Sequence, residues 1–190
     1  MLKTEKSTGE SHLEEKMKRI PTDYAEITPI LLKQLPKGVL LTTKYRDEVD
    51  TMTIGWGTIG IEWGLPVFVA YIRESRHTKK LLELNPEFTV NIPLEGSDVR
   101  RILGYCGTTS GRDHDKITEM DLHLVEGENV NVPAIAELPI TLECKVIYSQ
   151  PQNPKTIPSD ILTRFYPTGD FHTCYYGQIA DCYVLENDSE

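Results

Sequence analysis

The chain has 190 residues, of which 39% are hydrophobic and 26% charged, and this balance is typical of a soluble globular protein with one domain. Its net charge of −9 argues against general binding of nucleic acid, which requires a basic surface. No apolar run is long enough to span a bilayer, and the charged start of the chain lacks the apolar centre of a signal peptide. We therefore expect a cytoplasmic protein.

The spacing of cysteine and histidine favours neither a metal site nor a disulfide scaffold. The four cysteines are widely spaced without a Cys-x-x-Cys pair, and no two histidines have the spacing of metal ligands. The sequence therefore predicts thiols that are buried or incidental, and no metal site.

The first half of the chain predicts a tail followed by strands. Residues 1–20 are rich in Lys, Glu and Ser, so we expect a flexible tail or surface helix there, and a folded domain over residues 21–190. Strands are predicted over 38–43 and 49–54, joined as an antiparallel hairpin. The continuous apolar run 67–72 is typical of a strand buried on both faces.

The second half alternates short helices with strands. Apolar and polar residues alternate most regularly between Ile140 and Tyr148. The predicted elements are helices over 78–84, 97–103 and 113–120, strands over 87–92, 140–148 and 175–185, and a proline-punctuated loop over 150–170. Because strands outnumber helices and connections are short, we predict a mostly β fold with interspersed helices, arranged as a closed or partly closed antiparallel barrel.

Residues 55–60 formally match the dinucleotide-binding pattern G-x-G-x-x-G. That pattern requires a helix after the last glycine, whose N-terminus meets the pyrophosphate. Here Gly64 and Pro66 follow closely, and then another strand is predicted. We therefore prefer the interpretation that the glycines let the backbone turn tightly and approach something flat.

Residues 73–80 form a basic segment in an acidic protein, with Ser75 and Thr78 as N-cap residue types before the predicted helix. A helix N-terminus with arginine beside it is suited to bind a phosphate. The alternative is a capped surface helix with solvated lysines, which we prefer for Lys79 and Lys80. Arg73, Arg76 and Thr78 together favour an anion site. The role of His172 stays open between function and loop packing.

With these residues in view, the chain resembles the flavin reductase-like family, the FMN-binding split barrels that include flavoredoxin-type proteins. The resemblance covers residues 24–186. It is carried by residues 51–56, 76–78, 88–91, 105–107, 110–116, 165–167 and 176–179. The order and spacing of these segments are more specific than any one of them.

The resemblance implies an antiparallel split β-barrel that forms a homodimer, with FMN near the subunit interface. It implies that the backbone of residues 51–54 lines the isoalloxazine ring, that residues 73–78 take the phosphate, and that Asn91 and residues 106–116 close over the ring and ribityl chain. The site residues so implied are Thr51, Met52, Thr53, Ile54, Arg73, Ser75, Arg76, His77, Thr78, Asn91, Cys106, Gly107, Ser110 and Lys116.

Asp50 departs from the family, which often has Asn at this place. A carboxylate near the flavin would disfavour the anionic reduced form of the ring. Alternatively, Asp50 points to solvent.

The function implied by the resemblance is an FMN-dependent oxidoreductase of the flavin reductase type, with NADH or NADPH as hydride donor. The flavin carries the chemistry, so no catalytic residue is assigned. Alternatives are a non-catalytic FMN-binding electron carrier that serves a partner redox protein, and an enzyme like pyridoxamine-phosphate oxidase. The protein is expected to bind neither nucleic acid nor membranes.

Overall fold

The computed structural model describes residues 17–187, which form a main antiparallel sheet, a separate two-stranded sheet and several short helices. The strands are β1 (Met17–Pro21), β2 (Val39–Tyr45), β3 (Glu48–Ile54), β4 (Gly57–Glu62), β5 (Leu65–Arg73), β6 (Glu87–Ile92), β7 (Leu124–Val125), β8 (Ala134–Ile135), β9 (Ile140–Pro151) and β10 (His172–Asn187). The α-helices are α1 (Tyr24–Gln34), α2 (His77–Leu84), α3 (Arg100–Thr108), α4 (Lys116–Glu119) and α5 (Ser159–Phe165).

The main sheet has the strand order β3-β2-β6-β9-β10-β5-β4, and β1 pairs with the far end of β10. Strands β3 and β4 are therefore the two ends of the sheet, although only Gly55 and Trp56 separate them in the chain. The sheet curls around an apolar core without closing, and its opening lies at these two residues. Strands β7 and β8 form a separate two-stranded sheet.

The core is built from alternate residues of the long strands. Phe68, Phe88, Val90, Ile140 and Leu142 are almost fully buried in it. Helix α1 covers one end of this core with Ile27 and Leu31, and a 3-10 helix at Leu35–Lys37 continues it. A second apolar cluster, between the sheet and helices α3 and α4, includes Leu40, Cys106 and Leu138.

Most predicted strands and the helix at 78–84 are confirmed, but the N-terminal prediction is wrong over residues 17–20. These residues belong to β1, which pairs in register with β10 from Met17↔Asn187 to Pro21↔Tyr183. The backbone pairing stabilises a polar segment whose composition resembles that of a tail. Residues 1–16 and 188–190 lie outside the described residues.

The glycine-punctuated segment contains strand β4 instead of successive turns. A Cβ at Gly57 would lie 2.5 Å from Cζ of Phe68, so this glycine lets the Phe68 ring pack against the strand backbone. The flat object that this glycine approaches is thus a core side chain. The following strand is not buried on both faces as predicted, because Val69 and Tyr71 remain partly exposed on one face of β5.

Two further differences follow from tertiary contacts. The predicted loop 150–170 contains helix α5. Over residues 140–144 the polar face of β9 is buried as well as the apolar face. There the Glu143 carboxylate accepts hydrogen bonds from the backbone N–H groups of Glu128 and Asn129 and from the Tyr183 hydroxyl. None of the described helices is long and apolar enough to cross a membrane.

Candidate functional site

The outer edge of β3 is free of strand pairing, because β3 ends the sheet and pairs only with β2. Lys116 Nζ donates to the Thr51 carbonyl from this outer side. In an antiparallel strand the N–H and C=O of one residue point to the same side, and the side alternates along the strand. The N–H groups of Thr51 and Thr53 therefore face the outer edge. They are donors that the sheet itself does not use.

Beside this edge lies a cavity of about 160 Å³, which we call the aromatic cavity. Trp56 forms part of its wall, with its ring centroid 5.2 Å from that of Phe165 and 5.0 Å from that of His172. The lining residues are Met52, Thr53, Ile54, Gly55, Trp56, Tyr71, Arg73, Arg76 and His172. Aromatic and apolar walls beside a row of backbone donors are suited to a flat ring with polar atoms along one edge.

A second cavity of about 200 Å³, the anion cavity, lies at the start of α2. It shares Met52 and Arg76 with the aromatic cavity, so the two are neighbours that one ligand can span. Its lining residues are Met52, Ser75, Arg76, His77, Thr78, Thr108, Thr109, Ser110, Gly111, Arg112 and Lys116. The positive side chains in this set give it the electrostatic character of an anion site.

The first turn of α2 adds unsatisfied donors to the anion cavity. Its N-cap residue, Arg76, makes no side-chain capping hydrogen bond, so the first N–H groups of the helix are not capped from the chain. His77 is 8% exposed, and its Nε2 lies 2.7 Å from Glu48 Oε1. Its buried Nδ1 has no hydrogen-bond partner within the described residues. Buried polar atoms are rarely left unpaired, and this one lies on a residue that lines a cavity.

Asp50 is buried and neutralised, and does not point to solvent. Its carboxylate is 2.8 Å from Lys116 Nζ and accepts the Thr78 hydroxyl proton at 2.6 Å. Asp50 and Lys116 are 4% and 3% exposed. The paired ammonium offsets the negative charge of the buried Asp50 carboxylate. The same pair also connects β3, α2 and α4.

Gly111 shows how tightly this pair is enclosed. A Cβ at this position would lie 2.3 Å from Asp50 Oδ1, closer than any real side chain approaches a carboxylate oxygen. A residue with a side chain would therefore displace either the carboxylate or the loop that carries Arg112.

Arg73 and Ser75 line the cavities but are already engaged by the chain. The Arg73 guanidinium donates to the carbonyls of Asp170 and Phe165, and the Ser75 N–H and hydroxyl both donate to the Asp170 carboxylate. These contacts fix the loop between α5 and β10 against the end of β5. Arg76 donates to the Gly107 carbonyl at 2.9 Å and lines both cavities.

Four predicted site positions differ in the structure, and the first is Gly107, which lines neither cavity and accepts a hydrogen bond from Arg76 at its carbonyl. Asn91 lines neither cavity, because its side chain is fully buried in a network with Thr42, Thr89 and Thr141. Cys106 belongs to the apolar cluster beneath α3, where burial raises the pKa of its thiol to about 11. The Thr51 side chain bonds to Thr42 inside the sheet, so only its backbone reaches the outer edge.

Lys79 was expected to be solvated, and this prediction is wrong. The side chain is largely buried and forms ion pairs with Glu74 and Glu83. Lys80 is exposed, as predicted. Within residues 17–187, no group of His, Cys, Asp and Glu side chains is arranged to hold a metal ion.

The sequence left His172 undecided, and the structure places it in the wall of the aromatic cavity. Its Nδ1 lies 2.7 Å from the Tyr166 hydroxyl, which is 2.8 Å from Gln152 Oε1. The amide oxygen accepts the Tyr166 proton, so Nδ1 carries the proton of a neutral His172 ring and donates to Tyr166. Burial, with Arg73 nearby, lowers the pKa of His172 to about 4.

His172 makes the stability of the fold depend on pH. Because its pKa is about 4 when folded and about 6.5 when unfolded, the unfolded chain binds more protons in this range and stability falls as pH falls. Between pH 7 and pH 5 the wild type should lose about 2 kcal/mol more of its unfolding free energy than His172→Gln. Urea unfolding of both proteins across this range measures the difference. Parallel pH profiles would contradict it.

Residues 32–190 match the protein-family model described as flavin reductase like domain. An uncharacterised protein of Archaeoglobus fulgidus is 26% identical over 155 residues, which are 82% of this chain and 76% of that protein.

Two solved structures have the same fold. One is an FMN-binding domain of a flavin reductases-like enzyme from Shewanella baltica, with a TM-score of 0.64 and 14% identity over 91% of this chain and 79% of that one. The other is flavoredoxin of Desulfovibrio vulgaris, with a TM-score of 0.60 and 24% identity over 95% and 76%. The predicted antiparallel split barrel is confirmed.

Proposed function

The chain belongs to the flavin reductase like domain family, and on that premise we propose that it binds FMN and acts as an oxidoreductase with NADH or NADPH as hydride donor. The observation that carries the proposal is the pair of adjoining cavities. One offers backbone donors and aromatic walls, and the other offers positive charge and an uncapped helix start. FMN combines a flat polar-edged ring with a phosphate, and so requires both.

The residues present suit this ligand. The free N–H groups at the start of α2 would donate to phosphate oxygens. Nδ1 of His77 is an acceptor when Nε2 donates to Glu48, so it would accept from a hydroxyl group of the ribityl chain. Arg76 and the exposed Arg112 would supply positive charge from two sides. Thr78 lines the cavity, but its hydroxyl proton is committed to Asp50, so it would contribute its backbone.

At the other end, the outer edge of β3 would orient the ring. The N–H groups of Thr51 and Thr53 would donate to polar atoms along the ring edge, while Trp56 and Met52 would shield it from water. When bound, FMN supplies hydride chemistry at its N5 atom. The chain's part is then to hold the ring, fix its electrostatic surroundings and exclude water.

Asp50 and Lys116 would fix the position of β3, which holds the ring, relative to α2, which holds the phosphate. Lys116 bonds to the Thr51 carbonyl and so fixes the peptide that follows, whereas Asp50 holds Thr78 in the first turn of α2. The net charge of this pair is zero, so we do not expect it to disfavour an anionic ring.

A second candidate is an electron carrier that binds FMN and passes electrons to a partner protein. The similarity in fold to flavoredoxin favours it. A homodimer with FMN near the interface, as the family resemblance implies, is part of the proposal for either function.

The test begins with the visible absorption spectrum of the purified protein and a fluorescence titration with FMN. Flavin uptake followed by oxidation of NADH or NADPH supports the reductase. Flavin uptake without such turnover supports the carrier. A colourless protein that quenches no FMN fluorescence would contradict both.

A further inference from the structure

A third cavity lies beside the aromatic cavity and shares Gly55, Trp56 and Tyr71 with it. Its volume of about 480 Å³ is within the range of sites for small molecules. We call it the apolar groove, and its lining residues are Leu32, Leu35, Pro36, Gly55, Trp56, Gly57, Tyr71 and Gln152. It is thus formed by α1, the 3-10 helix after it, and the opening of the sheet.

The charge of the groove differs from that of its neighbours. In the part of the chain that the structure describes, all residues that line the groove are uncharged. The aromatic cavity contains Arg73 and Arg76, and the anion cavity contains Arg112 and Lys116 as well as Arg76. A charged ligand would lose hydration in the groove without gaining an ionic partner. The groove therefore favours neutral molecules over charged ones, and it offers the phosphates of a nucleotide no cationic partner.

Gln152 provides a polar contact in this apolar setting. Its Oε1 accepts hydrogen bonds from the Tyr166 hydroxyl at 2.8 Å and from the His172 backbone N–H at 3.3 Å. A backbone N–H can only donate, so the contacted atom is the amide oxygen, and the amide NH₂ group points away from these partners. Because Gln152 lines the groove, this NH₂ group is available to an acceptor there, such as a carbonyl oxygen.

We propose that the apolar groove binds neutral, flat carbonyl compounds of the quinone class. Leu32, Pro36, Trp56 and Tyr71 supply apolar and aromatic contacts to the ring, and the Gln152 amide donates to a carbonyl oxygen. The role of a bound quinone rests on the proposed function, because a quinone in the groove would lie next to the aromatic cavity, which we assign to the flavin ring. Binding itself requires only the groove.

The test measures binding of 2,3-dimethyl-1,4-naphthoquinone by equilibrium dialysis. This compound is neutral, and both ring positions beside its carbonyls are blocked against addition of thiols. We expect one saturable site in protein with excess FMN. The 2-hydroxy-3-methyl analogue, which is anionic at pH 7, should bind at least about tenfold more weakly because its charge has no partner in the groove.

Two variants locate the binding site. Leu32→Asp should weaken binding of the neutral quinone at least about fivefold, because it removes apolar contact and introduces a charge. Leu84→Asp is the matched control, since Leu84 is 50% exposed and Leu32 55%, and Leu84 lines none of the three cavities. Gln152→Glu should weaken binding similarly. It keeps an acceptor for Tyr166 and His172 but replaces the donor with a negative oxygen.

FMN uptake is measured on the same samples, so a failure of FMN binding and a failure of quinone binding are separate results. Saturable binding that Leu32→Asp and Gln152→Glu weaken, and that Leu84→Asp leaves unchanged, supports the proposal. Absence of saturable binding overturns it, including the case in which a second copy of the chain covers the groove. Equal affinity for the neutral and anionic quinones, or equal affinity in Leu32→Asp and Leu84→Asp, also overturns it.

Discussion

Lys116→Met is expected to lower the unfolding free energy by about 3–5 kcal/mol, the largest effect that we predict for a single substitution. The change leaves the Asp50 carboxylate buried without its ionic partner, and only the Thr78 hydroxyl still donates to it. It also leaves the Thr51 carbonyl without the ammonium donor. Urea unfolding followed by circular dichroism measures the loss.

Two controls separate the ion pair from the loss of one lysine. Lys80→Met makes the same change on the exposed face of α2 and should alter stability by no more than about 0.5 kcal/mol. The double variant Asp50→Asn with Lys116→Met removes both charges and should recover a large part of the loss, because neither partner is then buried unpaired. If the double variant were less stable than Lys116→Met by the full cost of Asp50→Asn alone, the two residues would not be coupled.

Arg76→Ala should weaken FMN binding by about 10- to 150-fold, because a charge-assisted hydrogen bond contributes about 1.5–3 kcal/mol and about 1.4 kcal/mol is one decade of affinity. Arg76 lines both cavities, so its loss affects the ring end and the phosphate end together. Its hydrogen bond to the Gly107 carbonyl is lost as well, which loosens the approach of α3 to α2. Fluorescence titration with FMN measures the affinity.

Arg101→Ala is the matched control, since Arg101 is exposed on α3 and lines none of the cavities. Its FMN affinity should equal that of the wild type. Comparison of FMN with riboflavin, which lacks the phosphate, sharpens the result: Arg76→Ala should reduce the advantage of FMN over riboflavin. Unchanged affinity for FMN in Arg76→Ala, with the fold intact by circular dichroism, would remove Arg76 from the site.

The strands were predictable because alternation and β-branched residues are local signals. Residues 38–43, 49–54 and 87–92 were each predicted near the observed bounds. The opening of the sheet between β3 and β4 was harder to predict from sequence, because the glycines there suggested turns. A strand forms there because its backbone pairs with β5, and Gly57 leaves room for the Phe68 ring to pack against it.

The candidate site was predictable where several residues of one type gather in the sequence. The basic segment before α2 predicts an anion site from composition alone, and Arg76 and His77 line the anion cavity. What sequence does not provide is the direction of each side chain. Asn91 lies on a strand near the site but points into a buried polar network, and Cys106 points into an apolar cluster.

The surroundings of Asp50 and His172 could not be predicted either, because their partners are distant in the sequence. The partner of Asp50 is 66 positions away in the chain, at Lys116, and no local pattern links the two. The low pKa of His172 comes from burial and from Arg73, and its proton arrangement comes from Tyr166 and Gln152; three different segments bring these residues together. The available signal was one histidine among five Phe and Tyr residues between positions 165 and 176.

The free outer edge of β3 has a further consequence for the protein before it acquires its ligand. An unpaired strand edge is a template on which another chain can add a strand, and proteins usually cover such edges. Helices α3 and α4 pack against β3, and in the proposed function FMN occupies the remaining donors. Newly made chains without flavin would expose the unpaired outer edge of β3, to which another chain can add a strand. The supply of flavin during synthesis would then govern how much of the protein escapes aggregation.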